Sequence, residues 1–238
     1  MRIFNIANAI TSMNLLSGIL GVICALGGAQ DMALLLMILA AVFDFFDGMV
    51  ARALKISGEI GKELDSLSDM VSFGVLPSIM LMVCMQQGGI DGWESYLPLM
   101  LAVMSSYRLA KFNLDKRQES DFLGVPTPTA ALISGTLAYY VAVSPGSFLA
   151  SLAATCWFIP VLSWILAFLL VSEIPMFGMK VKKGHKLLDA KRIVFLALAV
   201  ASVAVTLALK KNWALAILLT FSAYLLENLL IFAFTKKK

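Results

Sequence analysis

The sequence predicts an all-α integral membrane protein, built as a polytopic helical bundle. Three observations carry this. Of 238 residues, 60% are hydrophobic and only 14% are charged, and the mean hydropathy is +0.88. A soluble domain is roughly half apolar and about one quarter charged. The apolar runs are continuous and of helix length, whereas a membrane β-barrel shows short alternating segments. At ~20 residues per helical span, the length allows up to about eight spans and little chain outside the membrane.

The spans follow in order at about 8–28, 32–54, 61–86, 95–114, 123–143, 148–171, 190–209 and 213–234. Before the first, Arg2, Phe4 and Ile6 suit a surface-lying amphipathic start. Turn chemistry separates the rest: Gly27-Gly28 after the first span, Gln86-Gln87-Gly88-Gly89 after the third, and Ser144-Pro145-Gly146-Ser147 after the fifth. No secretory peptide is evident, since the N-terminus has one basic residue and no small-residue cleavage site. Cys24, Cys84 and Cys156 are odd in number, lie in apolar segments, and fit neither zinc spacing nor a disulfide framework. They read as small core residues. His185 sits in a basic loop and reads as solvated, and the tryptophans and methionines read as belt or packing residues.

Basic residues set the orientation. With the N-terminus inside, 17 of the 19 lysines and arginines fall on the cytoplasmic side, and only Lys210 and Lys211 fall outside. The pattern predicts both termini in the cytoplasm and a multi-pass protein of the inner, cytoplasmic membrane. The net charge of +4 is thus a topology signal, and the basic rim suits anionic membrane lipids. Nothing in it calls for nucleic acid.

Against this apolar background stand Asp44, Asp47, Asp65 and Asp69. An ionised side chain at the bilayer centre costs about 2.5–3.5 kcal/mol on insertion scales. Asp44 and Asp47 are three apart and Asp65 and Asp69 four apart, so each pair shares a helix face. At 1.5 Å per residue, Asp44 lies roughly 18 Å in from the outer end of its span. All four then meet in the cytoplasmic third of the membrane. Two such faces form a cage of hard oxygen donors, which selects magnesium, manganese or calcium over zinc. Gly48 and Ala51 leave the adjoining face bare, Arg52 follows on roughly the same stripe as Asp44, and Gly61 lies one turn before Asp65. Two metals with one cationic arm suit phosphoryl-type transfer, with one carboxylate free as a general base. Carboxylates inside membranes also serve ion pathways and proton relays. A cation-coupled transporter or ion-binding membrane protein is therefore the non-enzymatic alternative; the internal repeat expected of a transporter is not seen.

The run from Asp44 to Asp69, D-x2-D-G-x2-A-R-x8-G-x3-D-x3-D, resembles the signature of the CDP-alcohol phosphatidyltransferase family. The resemblance implies a six-helix core, two divalent cations (Mg2+ or Mn2+, with Ca2+ a further choice), and displacement of CMP from a CDP-linked lipid by an alcohol. It implies that Asp44, Asp47, Asp65 and Asp69 are metal ligands and that Asp69 is also the catalytic base. Asn14, Asp44, Gly48, Ala51, Arg52 and Gly61 would bind CDP-diacylglycerol. Further stretches resemble the branch of the family that uses serine: Thr11 to Gly18, Asp65 to Pro77, Tyr107 to Asn113, Phe122 to Ala131 and Val171 to Pro175. Lys111 stands where these relatives usually have arginine, and Val125 where they have leucine. The resemblance covers about residues 6–180 and implies a homodimer. It divides the chain into a core at 1–180 and an addition at 181–238, a basic loop with two further transmembrane helices.

Acceptor choice rests on charge. L-serine brings a carboxylate into a low-dielectric site and needs a cation. Arg108 and Lys111, three apart at the cytoplasmic end of the fourth span, supply two. Lysine cannot form the bidentate fork that arginine can, so Arg108 is the better grip. Ser72 and Asn113 are polar groups suited to serine's amine or hydroxyl. Two other readings stand beside this one. Glycerol 3-phosphate would also want cations, as in a phosphatidylglycerophosphate synthase, and Arg108 and Lys111 also suit a snorkelling pair at the inner rim. Pro126 and Pro128 either stiffen the start of the fifth span or shape a substrate loop.

Overall fold

The computed structural model describes residues 5–56, 58–115, 122–177 and 190–235. His185, Arg2, Lys116, Arg117, the cluster Lys180 to Lys186 and Lys236 to Lys238 lie outside them. Among the described residues the regular structure is helical, apart from one pair of two-residue strands.

Helix α1 (Ile6–Leu26) starts at Asn5, whose side chain accepts the N–H of Asn8 at 2.8 Å. A turn at Gly27 to Ala29 returns the chain as α2 (Gln30–Ala53), and the two helices pack along their length. A third run, Glu59–Gln87, is a single rod of 29 residues. It comprises α3 (Glu59–Asp69), a π-helical stretch at Met70–Val75, and α4 (Leu76–Gln87). Pro77 accounts for the stretch. It has no N–H to give the Phe73 carbonyl and its ring crowds that carbonyl, so the backbone widens ahead of it. This rod is the axis of the bundle: 67% of its apolar window is buried, against 28% in α2 and 11% in Lys191–Ala208. Phe73, Leu76, Met80 and Met85 meet Leu34 and Met37 of α2 in the core.

Three of the expected spans differ in detail, and each time a proline is the reason. The fourth begins as a 3-10 turn, Trp93–Leu99, containing Pro98, before α5 (Met100–Leu114). The fifth starts later than residue 123: Phe122–Leu123 is a strand, Gly124 takes φ +79°, and α6 (Thr127–Val143) begins only after Pro126. Residues before proline avoid helical backbone, which stops the helix from reaching further back. The sixth is broken into α7 (Phe148–Ala153) and α8 (Phe158–Val171), because Pro160 conflicts with the carbonyl four residues earlier.

The strand pair joins Phe122 to Met176 and Leu123 to Pro175, antiparallel. Helix α9 (Ala190–Ala208) packs on α10 (Ala214–Thr235), and α10 packs on α6. Among the described residues, five helical runs are long and apolar enough to cross a membrane, and α8 is a shorter apolar helix. The molecule is a polytopic all-α membrane protein. Cys24, Cys84 and Cys156 are free thiols.

Candidate active site

The acidic residues converge where the C-terminal end of α2 meets the N-terminal half of the central rod. Ligand oxygens of Asp44, Asp47 and Asp65 all lie within 4.8 Å of one another. Asp44 and Asp47 share a face because they are three apart on one helix; Asp65 approaches from the neighbouring helix. Asp69 stands one turn beyond Asp65, outside the trio. Its Oδ1 accepts a hydrogen bond from Asn14 Nδ2 at 3.2 Å. Among the described residues no hydrogen bond engages its other oxygen.

Helix α1 is the third wall. Thr11 donates its hydroxyl to Asp47 Oδ2 at 2.6 Å. Ser72, inside the π-helical stretch, donates to the backbone carbonyl of Asn14 at 3.1 Å. Asn14 is thus gripped at its main chain while its amide serves Asp69. Gly18 permits this approach: a Cβ there would lie 3.0 Å from the Ser72 backbone and far closer to its hydroxyl.

The electrostatics are one-sided. Among the described residues the only salt bridge is Lys111 to Glu173, so none of the four aspartates has a cationic side chain within 4.0 Å. Oδ1 of Asp65 and Oδ1 of Asn14 are buried acceptors with no donor. Clustered carboxylates with orphaned oxygens and no salt bridge to a protein cation fit a hard divalent ion, and Asp44, Asp47 and Asp65 can hold one.

Beside the trio opens a cavity of about 200 Å³. Gly48, Ala51 and Arg52 of α2 line it, with Gly61 and Asp65 of α3 and Asn8 and Thr11 of α1. Arg52 folds back over Gly48, with Nη1 3.3 Å from where a Cβ would stand. A larger cavity, about 550 Å³, lies at the opposite end near Gly28, Gln87 and Pro145, and no charged residue lines it. Phosphate chemistry has nothing to hold it there.

The other expected residues are less alike. Arg108 is buried, donates Nε to the Val125 carbonyl at 2.9 Å, and lies over the Phe112 ring at 5.5 Å. It is within electrostatic reach of Asp69. Lys111 instead pairs with Glu173 at 3.4 Å. Asn113 donates to Ser66 Oγ at 2.9 Å and its carbonyl accepts from Lys62 at 3.0 Å, so it ties α5 to α3. Ser72 serves Asn14. Asn8 was not singled out from the sequence, and Thr11 entered only as the first residue of the stretch Thr11 to Gly18, with no role of its own. Their spacing, three apart and leading to Asn14, was visible, but Ser12 and Ser17 on the same helix are polar too, so it did not set them apart.

Residues 4–171 match the family model of the CDP-alcohol phosphatidyltransferases. The chain belongs to the CDP-alcohol phosphatidyltransferase family. Curated relatives include a CDP-diacylglycerol–serine O-phosphatidyltransferase of Mycobacterium leprae, 32% identical over 186 residues, which cover 75% of this chain and 58% of the relative. A protein of the same name from Bacillus subtilis is 34% identical over 123 residues, covering 52% of this chain and 69% of that one. An archaetidylserine synthase of Methanothermobacter thermautotrophicus is 34% identical over 130 residues, covering 52% and 53%. The chain spans about 58% of the length of the Mycobacterium leprae relative. For a CDP-alcohol phosphatidyltransferase the match stops at the end of α8, so α9 and α10 lie beyond it.

Proposed function

We propose that this protein transfers the phosphatidyl group of CDP-diacylglycerol to the hydroxyl of L-serine, giving phosphatidylserine and CMP. The observation that carries the reading is the carboxylate trio without a salt bridge, set beside a small cavity that Arg52 and Lys62 also line. Relatives at 32–34% identity named for serine transfer support the acceptor.

Asp44, Asp47, Asp65 and Asp69 would hold two magnesium or manganese ions, which neutralise the diphosphate and stabilise charge on the leaving group. The cavity is below the ~300–1,000 Å³ usual for a whole small ligand, so it takes the polar part of the lipid and leaves the acyl chains in the bilayer. Gly48, Ala51 and Gly61 keep its walls low, and Arg52 supplies the cationic contact to a phosphate oxygen. Asn14 fixes one oxygen of Asp69, leaving the other to take the proton of serine's hydroxyl. The alkoxide oxygen bonds to the phosphorus carrying diacylglycerol, the bond from that phosphorus to CMP breaks, and CMP leaves with the electron pair. Arg108 offers serine's carboxylate a fork-shaped partner: Nε is bound to Val125, and no hydrogen bond among the described residues occupies the two terminal nitrogens.

The expected topology, with 17 of 19 basic residues on the cytoplasmic side, supports a site open to the cytoplasm, where serine is soluble. The division at residue 180 is part of the same reading.

The test is CMP release by purified protein given CDP-diacylglycerol, magnesium or manganese, and L-serine, with and without chelator. Serine-dependent release that chelation abolishes is expected. Release only with glycerol 3-phosphate would keep the chemistry and refute the acceptor. No release with any alcohol would favour the ion-binding alternative.

A further inference from the structure

The segment that leaves α8 is held from two sides. On one, it forms half of the short ribbon, with Leu123 opposite Pro175 and Phe122 opposite Met176. Gly124 donates its N–H to Ile174 O at 2.9 Å, and Val125 donates to Leu169 O at 3.0 Å. On the other, α10 grips it. Tyr224 donates its hydroxyl to Phe177 O at 2.9 Å, and Phe177 N–H donates to Asn228 Oδ1 at 2.9 Å. Tyr224 and Asn228 are four apart and so share one face of α10. Asn228 Nδ2 donates to Tyr224 O at 2.8 Å, which fixes the amide's orientation. Both backbone groups of one residue are therefore bound by a helix that begins 37 positions later in the chain. The Phe177 ring packs edge-to-face on Tyr224 at 5.1 Å and on Phe195 of α9 at 6.5 Å.

The same ribbon holds the cations of α5. Arg108 Nε is bound to the carbonyl of Val125, two residues past the strand. Lys111, one turn on, is bound to Glu173, two residues before the other strand. A pair of two-residue strands cannot maintain its own register, since even a full isolated hairpin is marginal in water. A guanidinium that must meet a carboxylate needs its geometry held within about 0.5 Å and 10–20°. The ribbon needs an external clamp, and α10 is the element that touches it from outside the core.

We infer that α10 is a positioning element for the acceptor end of the site: Tyr224 and Asn228, by holding Phe177, fix the ribbon whose Val125 carbonyl orients Arg108. This rests on Arg108 being the group that meets the acceptor's carboxylate. It gives the last two helices a task inside the reaction. The chain after residue 171 lies beyond the family match, yet it completes the specificity end of the site.

The test uses the full chain in lipid nanodiscs and compares wild type with Tyr224→Phe and Asn228→Ala. Tyr224→Phe removes one hydroxyl and keeps the ring cluster. The expected result is a rise of about tenfold in KM for L-serine, the size of one lost hydrogen bond. KM for CDP-diacylglycerol should stay unchanged, and in Tyr224→Phe the melting temperature should fall by no more than the few degrees that one hydrogen bond is worth. Amide exchange at Gly124, Val125 and Phe177 should quicken, while residues 59–75 keep their protection. An unchanged serine KM overturns the inference, with or without faster exchange in the ribbon. A parallel rise in both KM values with a lowered melting temperature overturns it too, because it marks general loosening. If the wild type transfers to no alcohol, the reading of the chemistry fails instead. The exchange measurement then stands alone, and undiminished ribbon protection in Tyr224→Phe overturns the clamp.

Discussion

At Asp69 one amide decides which oxygen is free. Asn14 occupies Oδ1, so the other oxygen is the one able to take a proton. Asp69→Asn should abolish CMP release while leaving CDP-diacylglycerol binding within a few-fold of wild type, as read by a fluorescent CDP-lipid titration. Turnover by that variant would remove the base assignment. Thr11 acts on Asp47 from outside the carboxylate trio. Removing such an orienting partner typically weakens metal affinity 10–100-fold. Thr11→Val, which keeps the shape, should therefore shift the manganese activation curve to higher concentration by roughly that factor and leave the maximal rate nearly intact. The four aspartates were legible in the sequence because charge inside an apolar run is rare and their spacings place each pair on one face. Thr11 and Asn8 were not, because a hydroxyl or amide in a membrane helix usually bonds its own backbone. Ser12, Ser17 and Ser78 do so here.

Among the elements, the contact of α1 with the π-helical stretch sets the depth at which Asn14 stands. Gly18→Ala places a methyl against Ser72 and forces the helices apart. Overpacking of this kind costs about 1–3 kcal/mol. The expected outcome is a lowered melting temperature together with a reduced kcat, since Asn14 retreats from Asp69. Gly124 is the comparable point on the ribbon. At φ +79° a side chain is strained, and a Cβ would collide with the Leu170 carbonyl, so Gly124→Ala should lose stability by roughly 1–2 kcal/mol. Hydropathy located the helical runs but not their interruptions. The prolines at 77, 98, 126 and 160 were visible, yet a proline can be absorbed as a π turn, a 3-10 start, a helix boundary or a full break. Which one occurs depends on what packs beside it. The strand pair had no signal at all, since two residues carry no periodicity.

For the whole molecule, carboxylates clustered without a salt bridge should make stability a function of cation concentration. A ligand at 100 times its Kd stabilises by about 2.7 kcal/mol. Chelation should lower the melting temperature of the wild type, measured in the absence of substrate. The shift should vanish in Asp44→Asn/Asp65→Asn, which already lacks the repulsion. Equal shifts in both proteins would mean that the ion binds elsewhere.

The two lipid-facing sides of the bundle differ in height. Helix α2, with Leu35, Val42 and Met49 exposed, runs 24 residues, about 36 Å at 1.5 Å per residue. Helix α8, with Val161, Ile165 and Phe168 exposed, runs 14 residues, about 21 Å on the same count. Its N-terminal end is marked by Trp157, packed edge-to-face on Trp93 at 6.3 Å, an aromatic pair suited to the headgroup level. A hydrocarbon layer of about 30 Å cannot match both walls, and beside a short one it thins. Lipid beside α8 should therefore be thinner than lipid beside α2, which order parameters of deuterated acyl chains around the reconstituted protein would reveal.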